Sequence, residues 1–299
     1  MNCTIENPEA WKNLDLDAYA VESRVHGVLV CRPSHFDVVD VRNAHMAGHV
    51  GGIDRARALG EWEEMVATFR RARLVVEELP SEPGLVDMVF TANPCLTGVD
   101  RDGLRIAICS RMRHPERVPE VEHHKNWFRR AGVHIVELDF GTHTWEGGGD
   151  TIWHPARYVL WGGVGPRSER AAFEILSAQL AAPVALLELV DPAFYHLDTC
   201  LAVLDLETCA YVPAAFNARG RALITTAFPH ALEVDEHEAR EQLAGNLFCP
   251  DGHQVFLPAG SPVTRARLED RDYHVIEIAT GEYLKSGGSI YCMRQNLYG

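Results

Sequence analysis

His196 and Asp198 stand two residues apart in YHLDTCLAVLD, just ahead of an apolar run. If that run is a strand that includes them, both side chains point to one face, a proton shuttle beside an anchor for a cation. Taken alone, the pair reads more simply as a surface histidine next to a turn aspartate. Cys292 follows Gly287 and Gly288 in KSGGSIYCMRQNL. A thiolate is the strongest side-chain nucleophile near neutral pH, and it forms only where its pKa is lowered or a cation lies close by. A cationic substrate supplies that cation itself; the plainer reading is a buried structural cysteine. WEGGGDTIW sets Glu146 and Asp150 at either end of three glycines. Glycine triplets also cradle phosphates, but the acidic flanks and the missing lysine favour a positively charged ligand.

Further polar candidates sit at the edges of apolar runs. VDMVFTANPCL carries Asp87 before such a run and Asn93 after it, with Pro94 forcing a turn. RNAHMAGH offers Asn43, with His45 and His49 at i, i+4 spacing. The glutamate of a zinc-protease H-E-x-x-H is absent, and Gly48, Gly51 and Gly52 weaken a helix there, so no metal site is expected.

The whole chain narrows the ligand class. Its 299 residues are 46% hydrophobic and 23% charged, an ordinary globular composition. The net charge of −14, without a Lys/Arg run, excludes a phosphate-backbone partner; no nucleic acid is expected, and a cationic ligand is compatible. No apolar run is long enough for a membrane helix, and the start, MNCTIENPEAWKNLDLD, lacks the basic and apolar regions of a secretory signal. A cytoplasmic protein that does not engage a membrane is the expectation. The eight cysteines are scattered without a C-x-x-C pair, which argues against a disulfide scaffold or structural zinc.

Periodicity predicts five helices, over 60–72, 119–131, 167–180, 235–244 and 263–271. Four of them lead into a short apolar segment bearing a glutamate: LVVEEL, HIVELD, ALLELV and HVIEIA, with Glu78, Glu137, Glu188 and Glu277. Within about fifteen positions of each glutamate comes one of the clusters described above. A repeated unit arranged about a common axis would bring the four clusters into one pocket. With no linker or low-complexity stretch, residues 1–299 are expected to form a single domain.

At these segments the sequence resembles the guanidine-modifying enzymes, which include arginine deiminase, arginine dihydrolase, dimethylarginine dimethylaminohydrolase and the amidinotransferases. The resemblance runs from CRPSHFDVVDVRNAHM at 31–46 to SGGSIYCMRQNL at 286–297, with the motifs in family order. It implies an α/β fold, a pseudo-fivefold, five-bladed propeller known as the pentein fold. It also implies a cysteine hydrolase that cleaves C–N bonds of the guanidinium of L-arginine or a close analogue. Cys292 takes the nucleophile's place, His196 that of the general acid and base, and Glu146 that of a guanidinium-contacting carboxylate. Asp198 matches the HLD motif of the deiminase and amidinotransferase branches. Asp87, Asp150, Asn43 and Arg294 complete the expected substrate-binding set. Asn93 departs from the aspartate usual in deiminases and dimethylargininases. It resembles instead the dihydrolase branch, which also has an E-G-x-G-D motif and an asparagine near the first motif. The resemblance thus points to a dihydrolase, then to a dimethylargininase or deiminase, with an amidinotransferase as the alternative. It implies no cofactor and no metal, a small guanidino partner, and room for a homo-oligomer.

Overall fold

The computed structural model describes residues 3–299 and builds five small sheets on one plan. In four of them an inner strand pairs antiparallel with a middle strand, and a helix then returns the chain to a parallel outer strand. These triplets are Gln295–Tyr298, Val25–Cys31 and Val75–Leu79; Cys95–Val99, Arg105–Cys109 and His134–Val136; Thr151–Trp153, Leu160–Val164 and Val184–Glu188; and Leu201–Val203, Cys209–Tyr211 and Leu232–Glu233. The remaining sheet pairs Gln254–Pro258 parallel with His274–Ile278, and an antiparallel bridge from Phe248 to Phe256 stands in the inner position. Parallel neighbours require a crossover, which explains why a helix precedes every outer strand.

The crossover helices follow from simple patterning. Helix Arg55–Arg71 is capped by Asp54, whose carboxylate accepts from Arg57 N, and it buries Ala58, Trp62, Met65, Val66 and Phe69 along one stripe. Helix Arg170–Leu180 buries Ala172, Phe173 and Leu176; Gly162 on the facing strand is required there, since a Cβ would lie 2.8 Å from the Phe173 ring. The inner strands bond to one another across sheets. Thr97 Oγ1 donates to Asn296 O at 2.8 Å, and Trp153 Nε1 donates to Thr97 O at 2.9 Å.

All four glutamate-bearing segments form the parallel strand after the crossover, so the sequence repeat marks a structural one; in one sheet Thr4–Ile5 adds a fourth, parallel strand beyond Val184–Glu188. A fifth copy escaped the pattern: Leu232–Glu233 in HALEVDE is the outer strand of its sheet, and helix Ala218–Ala227 is its crossover. The helix expected over 235–244 exists as Glu236–Gln242, capped by Asp235. It lies after the fifth outer strand, however, and serves as a connection rather than a crossover.

Candidate active site

Arg42, Asn43, Arg117 and Arg167 lie between a middle strand and its crossover helix, while four site segments run from the outer strand of one sheet to the inner strand of another. This is why Asn93, Glu146, His196 and Cys292 each follow a repeat glutamate. Cys292 and His196 line one cavity together with Asn43, Asp87, Asn93, Arg42, Arg117, Arg167 and Tyr195. The space it encloses is about 20 Å³.

Cys292 is buried, and its backbone is anchored on both sides: its carbonyl accepts from Ala92 N and its N–H donates to Asn246 Oδ1. Its thiol donates to Asp198 Oδ2 at 3.1 Å, while Asn246 Nδ2 donates to the sulfur at 3.2 Å. Burial, then the charge and hydrogen bond of Asp198, push the thiol well above its ordinary pKa. Burial likewise lifts the Asp198 carboxyl to about 7, with its bonds to Cys292 and the charge of Arg294 pulling the other way. The nucleophile therefore rests as a thiol, and a cation entering beside Asp198 would favour its ionisation. Two glycines shape this approach: Gly287 has φ +82°, and a Cβ on Gly288 would lie 2.3 Å from the Phe90 ring.

His196 does not share a strand with Asp198, as alternation had suggested. It sits in extended backbone at the start of a 3₁₀ turn, Leu197–Thr199, and the strand begins only at Leu201. The Thr199 hydroxyl donates back to His196 O at 2.7 Å and stabilises the turn. The two side chains thus take different partners, the imidazole on Glu146 and the carboxylate on Cys292.

His196 Nε2 lies 2.7 Å from Glu146 Oε2, which also accepts from Arg167 Nη1 at 3.1 Å; Glu146 Oε1 accepts from Arg113 N at 3.0 Å. Burial alone would raise the Glu146 carboxyl, but the His196 bond and the charges of His196, Arg167 and Arg117 outweigh it and hold the group well below the usual carboxylate range. Glu146 is fully buried behind the imidazole rather than lining the cavity. This geometry suits a carboxylate that orients His196 rather than one that touches a guanidinium.

Asp150 is tied down by Ser168 Oγ at 2.6 Å and Leu197 N at 3.0 Å, with burial raising its carboxyl to about 6. The intervening glycines form a single helical turn, Gly147–Asp150, pressed against residues 92–95. A Cβ on Gly147 would fall 2.6 Å from both Asn93 O and Cys95 O, and one on Gly149 would fall 2.2 Å from Asn93 Nδ2.

Asn43 caps a 3₁₀ turn, Ala44–Met46, through its Oδ1, and its Nδ2 donates to Ser286 O. His45 and His49 therefore do not share a helix face, and His45 Nε2 bonds with Ala193 O at 2.9 Å. Asp87 pairs with Arg42 Nη1 at 2.7 Å. Arg294 stands apart from this cavity. Its guanidinium lies 3.5 Å from the Tyr291 ring centroid and 4.2 Å from that of Phe248, along a different cavity of about 430 Å³.

Sequence reasoning missed four residues of the site. Arg42, Arg117 and Arg167 ring the cavity, and Asn246 holds the sulfur. Asn246 follows Glu233 just as the other site residues follow their repeat glutamates, so the fifth repeat was the signal for it. Buried Arg117 is held by Glu120 through Nε at 3.1 Å and Nη2 at 2.7 Å, and its Nη1 donates to Asn93 Oδ1 at 3.0 Å. Arg117 has only donors to offer, so it fixes the Asn93 amide with oxygen toward itself; Asn93 Nδ2 is left buried without a partner among the described residues.

No family model matches the chain. It is 35% identical to N(G),N(G)-dimethylarginine dimethylaminohydrolase of Mycobacterium tuberculosis, over 80% of this chain and 76% of that one. It is 31% identical to the bifunctional arginine dihydrolase/ornithine cyclodeaminase ArgZ of Synechocystis, over 89% of this chain but only 37% of that protein's length. The solved N-terminal domain of ArgZ, a cyanobacterial arginine dihydrolase bound to its substrate, superposes with a TM-score of 0.84 at 30% identity, covering 92% of this chain and 98% of that one. The Pseudomonas aeruginosa dimethylarginine dimethylaminohydrolase with citrulline, at 21% identity and a TM-score of 0.75, shares the fold. The chain belongs to the guanidine-modifying superfamily, the family of dimethylarginine dimethylaminohydrolase and the arginine dihydrolases.

Proposed function

We propose that this protein is a cysteine hydrolase that cleaves C–N bonds of the guanidinium of L-arginine or a close analogue, and that it works as an arginine dihydrolase. In this reading residues 1–299 form one domain whose five sheets close about an axis as a five-bladed propeller, with the cavity at its centre. The bound guanidinium lies beside Asp198 and Cys292, its positive charge stabilises the Cys292 thiolate, and the sulfur attacks the central carbon. Glu146 accepts the Nε2 proton of His196, leaving Nδ1 to protonate the departing nitrogen. An amidino-thioether and ammonia result. His196 then takes a proton from water, the hydroxide adds to the same carbon, and sulfur leaves from a ureido product. Arg42, whose Nη2 has no hydrogen-bond partner among the described residues, is placed to meet the amino acid's carboxylate.

One observation carries the dihydrolase choice: Asn93 lines the cavity, and its Nδ2 is a buried donor with no hydrogen-bond partner among the described residues. A carboxylate there would prefer the cationic guanidinium and turn away a carbonyl. An amide N–H donates to the carbonyl oxygen of a ureido group, so the first product is retained for a second attack. Two waters are consumed overall, and ornithine, two ammonia molecules and carbon dioxide are released.

Mass spectrometry of the products from arginine, methylated arginines and arginine plus glycine tests the assignment. Ornithine from arginine without an acceptor is expected. Citrulline as the end product would make the protein a deiminase, methylamine release a dimethylargininase, and turnover that requires glycine an amidinotransferase. Cys292→Ala should abolish all of them, and unchanged activity would refute the nucleophile.

A further inference from the structure

Two of the eight cysteines face each other across a pair of strands. Cys95 opens the inner strand Cys95–Val99 and lies opposite Cys109, which ends Arg105–Cys109. The ladder tells which kind of pair they make. Ser110 N donates to Pro94 O and Asp100 N to Leu104 O, so positions 94/110 and 100/104 are hydrogen-bonded pairs, as are 96/108 and 98/106 by alternation. Cys95 and Cys109 are therefore a non-hydrogen-bonded pair, in which Cα atoms lie about 4.5 Å apart and side chains approach most closely. That separation falls within the range a disulfide spans. Both are free thiols; Cys95 is fully buried, whereas Cys109 keeps 8% of its surface exposed.

We propose that Cys95 and Cys109 form a reversible dithiol–disulfide pair that controls the hydrolase through the segment carrying Asn93. Hydrogen peroxide is the oxidant. The Cys109 sulfur attacks a peroxide oxygen, the O–O bond breaks, and water leaves after protonation, giving a sulfenic acid. The Cys95 thiolate attacks that sulfur, an S–S bond forms, the S–O bond breaks, and a second water leaves. Two thiols have then lost two electrons and two protons to the peroxide. Cys109 is the member with exposed surface and so the one a peroxide reaches, and its contact with Cys95 lowers its thiol from the ordinary value.

The link to the site is direct. Asn93 O accepts from Ser110 Oγ at 2.6 Å, and Ser110 follows Cys109. Cys95 O accepts from Gln295 Nε2 at 2.6 Å, and the Gly147 turn beside Glu146 packs on Asn93 O and Cys95 O with no room for a Cβ. Forming an S–S bond of about 2.05 Å between the two strands fixes their separation and torsion and shifts this segment. A displacement of about 1 Å in a catalytic group can cost about a hundredfold in rate.

The functional reading enters only through the activity measurement. Protein carrying Cys292→Ser, which removes the reactive thiol, is treated with hydrogen peroxide, alkylated and digested. A cross-linked pair of peptides containing Cys95 and Cys109 is expected, absent after dithiothreitol; failure to find it overturns the proposal whatever the enzyme's substrate. In parallel, wild type and Cys109→Ser are oxidised and assayed on arginine. Their activities should match when reduced. After oxidation, wild type should fall about ten- to a hundredfold further than Cys109→Ser and recover with dithiothreitol. Equal losses in the two would show that the linkage does not reach the site.

Discussion

Asn93→Asp is the substitution most informative about the reaction. In the native protein Arg117 Nη1 donates to Asn93 Oδ1 at 3.0 Å, and Nδ2 stands over Gly149 as a free donor. Aspartate keeps the shape and the Arg117 contact but replaces that donor with an acceptor bearing charge. A hydrogen bond to a charged group contributes about 1.5–3 kcal/mol, which the cationic guanidinium would gain. A ureido carbonyl facing the same oxygen would lose its donor and go unsatisfied, at a cost of about 1–3 kcal/mol. Taking about 3 kcal/mol as the combined swing, the preference for holding the ureido intermediate relative to arginine falls about a hundredfold. The intermediate should then escape, and citrulline should replace ornithine as the main product while arginine consumption continues. Quenched time courses with isotope-labelled arginine, resolved by mass spectrometry, measure the partition. Ornithine persisting as the dominant product of Asn93→Asp would refute this account of the asparagine.

Three further outcomes follow from the same geometry. Asp198→Asn should raise stability at pH 8 but not at pH 4: burial lifts the Asp198 carboxyl to about 7, so its protonated form favours folding below its unfolded pKa, and that contribution is lost as pH rises through the folded value. Calorimetry across this range should show a gain that grows to several kcal/mol with pH, with turnover largely lost; a gain independent of pH would contradict the assignment. Asn246→Ala strips the Cys292 N–H and sulfur of their partners, at about 1–3 kcal/mol in stability, and should depress kcat more than it raises KM; steady-state kinetics and denaturant melts read both. Gly149→Ala forces a methyl to within 2.2 Å of Asn93 Nδ2 and 3.5 Å of His196 Cδ2. It should reduce kcat/KM about a hundredfold, with ordered secondary structure by circular dichroism; near-native turnover would mean the segment tolerates displacement.

How far the sequence could be read depended on whether a residue's partner is local. The outer strands announce themselves because each is a short β-branched or aliphatic run after a helix with a strong apolar stripe, and the site segments follow at nearly constant distance. The fifth unit lacks both cues. Its outer strand is two residues long, and its helix, ARGRALITTA, carries a glycine on its buried face and two threonines near its end, all weak helix formers. The helix beginning after Asp235, with Glu236 and Glu238 in its first turn, gives the clearer helical signal, and it hides both the repeat and Asn246. His196 and Asp198 were misplaced for a related reason: a threonine folding back on the chain makes a turn where alternation suggested a strand.

The cavity arginines were hidden by a different limit, because an arginine's role is set by which carboxylate it meets. Arg117 has a local partner, Glu120, at i, i+3, so the ion pair could be read from spacing. Its second contact, the one that turns the Asn93 amide, spans 24 positions and exists only once the outer strand and the next inner strand are placed. The same holds for Arg167 on Glu146 and for Arg42 on Asp87. In each case a buried carboxylate near the cavity already has an arginine. The charge left for the substrate cation is therefore concentrated at Asp198, where the thiol is the only strong partner and Arg294 makes no ion pair among the described residues. The position of that one carboxylate beside the sulfur couples binding of a cation to formation of the nucleophile. A neutral ligand at the same place would leave the thiol protonated. In the proposed dihydrolase reaction the second attack, on the uncharged ureido group, would need help that the first does not, and an Asn93 N–H donated to the ureido oxygen would supply part of it by polarising the carbon.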